Sequence, residues 1–392
     1  MSFKRVVRVV SFVAERSRGK LGDRSMLVSN VPAVGLPYRM TPTTPPVDIQ
    51  DLELIHSQTT GLWDEVRGER IFITGGTGFF GCWLLESFAF INRREHLGAQ
   101  ATVLTRDPIA FASKCPHLAS DPAITLHAGD VRDFAFPDGE FRYVIHAATE
   151  SSARQGTVAP PLETLRTIVR GTEQVLEFAA GHGARKFLLT SSGAVYGKQP
   201  ETISHVPEDY RGGPDPLNPQ SVYGESKRIS EQMCSLYALQ TGMECKIARC
   251  FAFVGPHLPL DAHFAIGNFI RDAMRGRPIE ISGDGTPMRS YLYAADLATW
   301  LWTMLFRAPS MQAFNVGSAQ AISIRDLAHA VVEALAVDVE VRVAKLPMEG
   351  VPLQQYVPST ERAQQLLNLK ASLDLHEAIR RTAAWHGFVS PQ

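Results

Sequence analysis

Paired cysteines and long apolar runs are both missing from this sequence. Five cysteines are spread over 392 residues, and no two of them stand in a CxxC spacing. This pattern argues against a disulfide framework or a structural zinc site, and it favours a reducing cytosol. No apolar run approaches the roughly 20 residues that span a bilayer. The sequence therefore predicts a soluble cytoplasmic protein with no membrane partner.

An excess of charge of either sign is also missing. The chain has 39 Lys plus Arg and 40 Asp plus Glu, a net charge of -1, so it lacks the broad basic surface of a nucleic-acid-binding protein. Small anionic substrates stay possible, because local arginines can bind them. Four histidines show no metal-ligand spacing, and we expect no bound metal: His146, His205, His257 and His263.

The first 68 residues are predicted to form a partly flexible N-terminal extension. Residues 1–26 carry seven Lys or Arg and two acids, which suits a transit peptide or a membrane-surface helix. The simpler alternative is a flexible tail, or coding sequence upstream of a start at Met26 or Met40. A Pro- and Thr-rich connector over 41–47 then leads to a helical candidate, Ile49–Glu65.

A glycine-rich loop follows the β-rich run Arg70–Thr74 and precedes a helical pattern. In such a unit the first glycine makes a tight turn and the second lets backbone N–H groups approach a pyrophosphate. The third lets the helix pack on the strand. The GxxGxxG spacing therefore predicts a dinucleotide site formed by Gly75, Thr77, Gly78, Phe79, Phe80 and Gly81.

Further strand candidates lie at 101–105, 124–128, 143–147 and 186–191, and residues 162–180 have helical periodicity. Strands that alternate with helices predict an α/β fold with a doubly wound parallel sheet, the Rossmann fold. We place the dinucleotide-binding domain at 69–250. Residues 251–392 are assigned mainly to a smaller C-terminal α/β lobe that binds substrate.

The residues after the second and third strand candidates bear on the cofactor. An acid after the second strand binds ribose hydroxyls, whereas a base tolerates a 2′-phosphate. Here Arg106 could contact such a phosphate, stack on adenine or lie in solvent, so NADP stays open beside NAD. Asp130 and Val131 are candidates for adenine contact; a strand-end turn aspartate is the alternative.

Tyr223 and Lys227 have a YxxxK spacing at the start of a helical stretch. Residues four apart share a helix face, so both side chains can reach one ligand. A nearby ammonium should lower the pKa of the phenol, which makes Tyr223 a candidate general base. Ser192, at the end of the fifth strand candidate, is expected to bind the substrate oxygen; Ser191 is the alternative.

These motifs resemble the NAD-dependent epimerase/dehydratase family, extended short-chain dehydrogenase/reductases that act on nucleotide sugars. The resemblance runs from about Glu69 to Leu375 and rests on TGGTGFFG (74–81), HAA (146–148), SSGAVYG (191–197), YxxxK (223–227), RCFAFVGP (249–256) and RSYLYAAD (289–296). It implies a nucleotide-diphosphate-sugar substrate, NAD as the favoured cofactor, and a homodimer formed through helices 162–180 and 221–241. It also implies that Ala147 and Ala148 contact the cofactor, and that Thr149, Asn268, Arg289 and Tyr356 contact substrate.

The sequence departs from the family pattern at positions that decide the reaction. Dehydratases place an Asp-Glu pair where Gly193 and Ala194 stand, and decarboxylases keep the Glu. Glu150 is a less favoured candidate to replace the missing acid. Ile168 replaces an Asn of the proton relay, and Tyr356 stands where decarboxylases tend to carry Arg.

We therefore expect a 4-epimerase, which needs no additional acid. The alternatives are an NADPH-dependent 4-keto-sugar reductase, a 4,6-dehydratase or decarboxylase, and a non-catalytic dinucleotide-binding protein.

Overall fold

Seven parallel strands form the central sheet of the protein. The computed structural model describes residues 43–149, 160–262, 264–348 and 350–389. Strands of the described chain are β1 Arg70–Thr74, β2 Gln100–Thr105, β3 Ile124–Ala128, β4 Tyr143–His146, β5 Lys186–Ser192, β6 Glu244–Cys250, β7 Phe253–Val254, β8 Ile279–Ile281, β9 Met288–Arg289, β10 Leu292–Tyr293, β11 Ala313–Val316, β12 Ile322–Ser323, β13 Val341–Val343 and β14 Gln355–Tyr356.

The central sheet has the strand order β11-β6-β5-β4-β1-β2-β3. Strand β1 pairs in parallel with both β2 and β4. Strands β2 and β3 therefore lie on one side of β1, and the later strands, beginning with β4, lie on its other side. The side chains of β1 alternate between two cores. Ile71 and Ile73 face one core, and Phe72 faces the other, as expected when helices cover both sheet faces. The predicted doubly wound fold is confirmed.

Helices pack against both faces of this sheet. In the described residues they are α1 Ile49–Gln58, α2 Phe79–Arg94, α3 Pro108–Lys114, α4 Pro116–Ala119, α5 Pro161–Gly181, α6 Val222–Thr241, α7 Ala265–Met274, α8 Ala294–Arg307, α9 Ile324–Leu335, α10 Glu361–Leu367 and α11 Leu375–Trp385. None of them is long and apolar enough to cross a bilayer.

The C-terminal part of the chain contributes to the central sheet as well as to small peripheral sheets. Strand β11 pairs with β6 at the sheet edge, and α8 is buried along almost its whole length. The peripheral sheets have the orders β12-β9-β14, β10-β7 and β13-β8. Residues 251–392 therefore include elements of the nucleotide-binding architecture in addition to a lobe.

The segment before β1 packs into the core instead of extending away from it. Helix α1 begins after Asp48, whose side chain accepts a hydrogen bond from the Gln50 N–H. Trp63 is fully buried and its ring centroid lies 4.9 Å from that of Trp302. The predicted domain boundary at residue 68 thus falls inside a packed region.

The two ends of the described chain meet at Asp51. This buried carboxylate accepts hydrogen bonds from Tyr293 Oη, at 2.5 Å, and from Arg381. Nearby, the Trp385 indole N–H donates to the carbonyl oxygens of Pro45 and Pro46, at 3.1 and 3.2 Å. Polar contacts of α11 therefore join it to Asp51 of α1 and to the segment before α1.

Candidate active site

The glycine loop between β1 and α2 has the form that a pyrophosphate requires. Gly75 has a positive φ of 72°, and a Cβ there would lie 2.5 Å from the backbone of Ala147. A Cβ on Gly81 would lie 2.2 Å from Gly76 Cα, whereas one on Gly78 would meet nothing closer than 3.4 Å. Gly75 therefore lets the loop approach the chain after β4, and Gly81 lets the first turn of α2 pack on the loop itself.

The N-terminus of α2 faces this loop without a side-chain cap. Its N-cap residue is Gly78, which has no side chain to accept a hydrogen bond from the first turn. Phe79 and Phe80 are half-buried at the start of the helix, and Thr77 is half-buried in the loop before it. Uncapped N–H groups and the helix dipole favour an anion, so these residues fit the pyrophosphate of a dinucleotide.

The candidates for cofactor selection lie at the ends of neighbouring strands. Arg106 is exposed after β2. Asp130, after β3, accepts hydrogen bonds from Arg132 Nε, at 2.8 Å, and from the Arg132 N–H, at 3.0 Å. The Arg132 guanidinium lowers the pKa of Asp130 below its ordinary value. Asp130 thus has the contacts of the turn aspartate that was its alternative, and the adjacent Val131 packs near Gly171.

Three hydroxyl groups converge at the carboxyl end of the sheet. Ser192 ends β5 and accepts a hydrogen bond from the Ala194 N–H, at 3.1 Å. The hydroxyls of Ser192 and Thr149 lie near that of Tyr223, which is in the first turn of α6, and both lower the pKa of Tyr223 in part. Ser191 instead donates to Glu231 Oε1, at 2.6 Å, away from this group. The structure therefore brings Ser192, and not Ser191, next to Tyr223.

Burial dominates the protonation of the Tyr-Lys pair. It raises the pKa of Tyr223 above its ordinary value of 10.0, and the nearby side chains of Ser192 and Thr149 offset this rise only in part. It lowers the pKa of Lys227 from 10.5 to about 8. The Lys227 ammonium donates to Thr190 O, at 2.8 Å, and lies 6.0 Å from the centroid of the Tyr223 ring. Desolvation is therefore the main influence on the pKa of Tyr223 in the protein alone, and it opposes the lowering expected from the nearby ammonium.

A buried chain of hydroxyl groups and one imidazole lies beneath the site. It lies in the region of Ile168, the residue that stands in place of the Asn of the family's proton relay. Thr74 Oγ1 lies 2.8 Å from His146 Nδ1, and Thr172 Oγ1 lies 3.3 Å from His146 Nε2. Ser230 Oγ continues the chain at 2.9 Å from Thr172 Oγ1. Burial lowers the pKa of His146 to about 3, so the ring is neutral. Sequence reasoning missed this chain, because its members come from two strands and two helices.

Tyr356 lies next to Gly193, one residue before the position of the missing glutamate. A Cβ on Gly193 would lie 2.8 Å from the Tyr356 hydroxyl, and the Ser192 side chain is near enough to lower the pKa of Tyr356 in part. Burial raises the pKa of Tyr356, so the phenol keeps its proton. This juxtaposition depends on the pairing of β14 with β9, which has no signature in the sequence.

The predicted substrate residues of the C-terminal part lie on separate elements. Arg289 is the β9 partner of Tyr356; its Nη1 donates to Met288 O, at 2.8 Å, and no carboxylate of the described residues pairs with it. Asn268, on α7, accepts a hydrogen bond from Arg271 Nη1 at 2.9 Å. Glu150, the substitute acid considered above, lies outside the described residues.

A second polar network, also missed, braces the turn after β5. Arg249 donates to the Glu231 carboxylate from Nε, at 3.0 Å, and from Nη2, at 2.7 Å. Its Nη1 donates to Tyr196 Oη, at 2.9 Å, and that hydroxyl donates to Asn315 Oδ1, at 2.7 Å. The network fixes the turn that carries Ser192.

A glycine loop, a Tyr-Lys pair and a strand-end serine on this sheet define a dinucleotide-dependent oxidoreductase site of the short-chain type. The model of the NAD dependent epimerase/dehydratase family matches residues 71–317. The chain belongs to this family, and its cofactor is NAD.

The chain is also similar to individual enzymes that act on UDP-sugars. UDP-glucuronic acid decarboxylase 1 of Arabidopsis thaliana is 30% identical over 313 residues, which cover 80% of this chain and 68% of that relative. A crystal structure of a UDP-galactose 4-epimerase shares 27% identity with a TM-score of 0.64 and covers 81% of this chain and 98% of its own. The UDP-glucuronic acid 4-epimerase of Bacillus cereus, in complex with UDP-glucuronic acid and NAD, has the same fold, with a TM-score of 0.67 at 20% identity and coverage of 81% and 98%.

Proposed function

We propose that this protein oxidises C4 of a nucleotide-diphosphate sugar with NAD. The observation that carries the proposal is the convergence of Ser192, Thr149 and Tyr223 beside the buried Lys227 ammonium. The glycine loop and Lys227 would hold the NAD, which when bound supplies the hydride acceptor at C4 and later the hydride donor. Tyr223, Ser192 and Lys227 are the proposed catalytic residues.

The residues of the chain handle the proton. Tyr223 accepts the proton of the C4 hydroxyl, and Ser192 donates a hydrogen bond to the oxygen on which charge develops. Because burial raises the pKa of Tyr223, the phenol holds its proton in the protein alone. Proton acceptance therefore depends on positive charge that the ligands bring next to it.

We propose decarboxylation of UDP-glucuronic acid as the reaction that follows. The curated relatives, at up to 30% identity over 80% of the chain, support it over the 4-epimerase expected from the sequence. A 4-keto uronic acid is a β-keto acid: its C5–carboxylate bond breaks, CO2 leaves, and the electron pair forms an enolate with the C4 carbonyl. C5 then takes a proton, and return of the hydride to C4 gives a UDP-pentose.

Tyr356 is the proposed replacement for the missing acid. Neither Gly193 nor Ala194 can donate a proton to C5, but the protonated Tyr356 hydroxyl occupies the space over Gly193. It can donate to the enolate carbon directly or through Ser192. This assigns to a tyrosine of β14 the role that a glutamate after β5 has elsewhere in the family.

A second candidate function is 4-epimerisation of a neutral or acidic UDP-sugar. It is favoured by the absence of an acid at positions 193 and 194, because epimerisation needs only removal and return of hydride. It is also favoured by Tyr356, whose uncharged ring does not attract a carboxylate as an arginine would.

Product analysis separates the two functions. The protein is incubated with NAD and UDP-glucuronic acid, and separately with UDP-glucose, and the products are identified by mass spectrometry and NMR. Release of CO2 with a UDP-pentose supports decarboxylation, and UDP-galacturonic acid or UDP-galactose supports epimerisation. Tyr223→Phe should abolish either product with NAD still bound, whereas Tyr237→Phe, on the same helix, should not. Turnover unchanged in Tyr223→Phe would refute the proposed mechanism.

The remaining proposals concern ligand contacts and assembly. Arg289 pairs with no carboxylate in the described chain and suits the diphosphate of the substrate, because a guanidinium matches phosphate oxygens. Asn268 is proposed to contact the substrate beside it.

We propose a homodimer through α5 and α6, supported by the exposed apolar side chains Leu162, Leu236 and Leu239 on these helices.

A further inference from the structure

Three buried metal-ligating side chains meet away from the proposed active site. Cys82 lies on α2, Cys115 between α3 and α4, and His257 in the loop after β7, and their ligand atoms lie within 4.8 Å of one another. All three residues are buried. The sequence predicts no metal because these residues have no ligand spacing, but the fold brings together positions that are far apart in the chain.

His257 has no hydrogen-bond partner in the described part of the protein. Its side chain is fully buried, and neither ring nitrogen makes a hydrogen bond. The nearest carboxylate oxygen, Glu86 Oε1, lies 3.5 Å from Nε2, which is too long for a well-formed bond. Buried polar atoms are nearly always satisfied, so an imidazole with two free nitrogens indicates that a ligand is missing from this position.

The surroundings of the cluster are polar and ordered. Glu86 lies one turn after Cys82 on α2 and accepts hydrogen bonds from His117 Nε2, at 2.7 Å, and from the Val47 N–H, at 3.3 Å. Thr44 Oγ1 lies 3.0 Å from Cys115 Sγ. A carboxylate held next to the imidazole is the partner that metal-binding histidines usually have.

We propose that Cys82, Cys115 and His257 bind one Zn²⁺ ion and that Glu86 positions the ring of His257. Two thiolates and an imidazole are a donor set that zinc prefers. Bonds of about 2.0–2.3 Å place the ligand atoms of a tetrahedral site about 3.5 Å apart. The ligand atoms, which lie within 4.8 Å of one another, must therefore close by at most about 1.3 Å. Binding releases the two thiol protons, and water takes the fourth position.

The ion would connect parts of the fold that hold the nucleotide loop. Cys82 follows Gly81 directly, and the neighbouring Trp83 indole donates to Pro256 O, at 2.8 Å, next to His257. A metal at this point would tie the first turn of α2 to the loop after β7 and to the turn before α4. Its expected role is structural, since the substrate-facing hydroxyls of the proposed active site belong to other elements.

Metal analysis of the purified full-length protein tests the proposal. The protein, prepared with zinc and without chelator, should retain one zinc per chain after gel filtration. Replacement by Co²⁺ should give a thiolate-to-cobalt charge-transfer band, which Cys82→Ser and Cys115→Ser abolish. Glu86→Gln should weaken Co²⁺ binding about 10–100-fold.

Cys234→Ser is the matched control, because Cys234 is also buried against a second cysteine, Cys245, on the other side of the sheet. It should keep the zinc and the band. A wild-type protein that retains no zinc and gives no band would overturn the proposal, and this measurement requires no variant to fold. A disulfide between Cys82 and Cys115 in the protein as isolated, or a band that survives Cys82→Ser, would overturn it as well.

Discussion

Replacing the buried lysine of the proposed active site should stabilise the protein while it inactivates the enzyme. Burial lowers the pKa of Lys227 from 10.5 to about 8. Each pKa unit corresponds to about 1.4 kcal/mol, so the buried ammonium lowers the free energy of unfolding by about 3 kcal/mol at neutral pH. Lys227→Met removes this cost and loses the hydrogen bond to Thr190 O, which contributes about 1 kcal/mol. The net expectation is a variant about 2 kcal/mol more stable at pH 7.

The extra stability of Lys227→Met should decrease as the pH rises. Below pH 8 the lysine is protonated in both the folded and the unfolded protein, and the full cost applies. Between pH 8 and 10.5 the folded protein loses the proton first, so the cost fades and the gain of the variant disappears. Urea unfolding of nucleotide-free protein, followed by the fluorescence of its buried tryptophans, measures this at pH 7, 8, 9 and 10.

Lys246→Met is the matched control. Lys246 is equally buried, but its ammonium contacts the Glu244 carboxylate and Ala308 O. Its removal leaves those acceptors unpaired, so this variant should be less stable than wild type. Failure of Lys227→Met to exceed wild type at pH 7, or a gain that is the same at pH 7 and pH 10, would refute the reasoning.

Three further outcomes are expected. Gly81→Ala forces a Cβ to 2.2 Å from the loop backbone and should lose NAD binding and about 1–3 kcal/mol of stability, measured by calorimetry; Gly78→Ala, with 3.4 Å of room, should keep the stability of the wild type, and an equal loss of stability would contradict the loop geometry. Tyr356→Phe should lower the kcat of decarboxylation about 10²–10⁴-fold with little change in KM, because the proposed proton donor to C5 is lost; unchanged kinetics would exclude it from the reaction. The double variant Leu236→Glu and Leu239→Glu places charges on exposed apolar positions and should give a monomer by light scattering; a persisting dimer would place the interface elsewhere.

The central sheet was predictable where a buried strand is a continuous apolar run. The segment Arg70–Thr74 is a strand over the predicted residues and is buried at four of its five positions, as expected for a strand covered on both faces. The edge strand Ile124–Ala128 also has the predicted bounds, although only Ile124 of it is buried. The strands of the peripheral sheets have two or three residues. Segments that short carry no periodicity, so neither their existence nor their pairing could be read from the sequence.

The features of the candidate active site were likewise predictable only where they are local in the sequence. The glycine loop and the YxxxK spacing are local and were predicted by residue. Tyr356 over Gly193 and the Cys82–Cys115–His257 cluster depend on tertiary packing of distant segments. The direction of the Tyr223 pKa was wrong, because spacing along a helix reports the neighbouring lysine but not the burial that dominates the shift.

The contacts that join α1 to α11 set the order in which the protein can fold during synthesis. Asp51 and Arg381 are separated by 330 residues, which a ribosome needs tens of seconds to add at about 5–20 residues per second. Throughout that interval, Asp51 lacks the Arg381 guanidinium as a hydrogen-bond donor, whereas the apolar side of α1 can pack on α2 and α8 once these helices have been synthesised. The contact between Asp51 and Arg381 is therefore among the last of the described fold that can form.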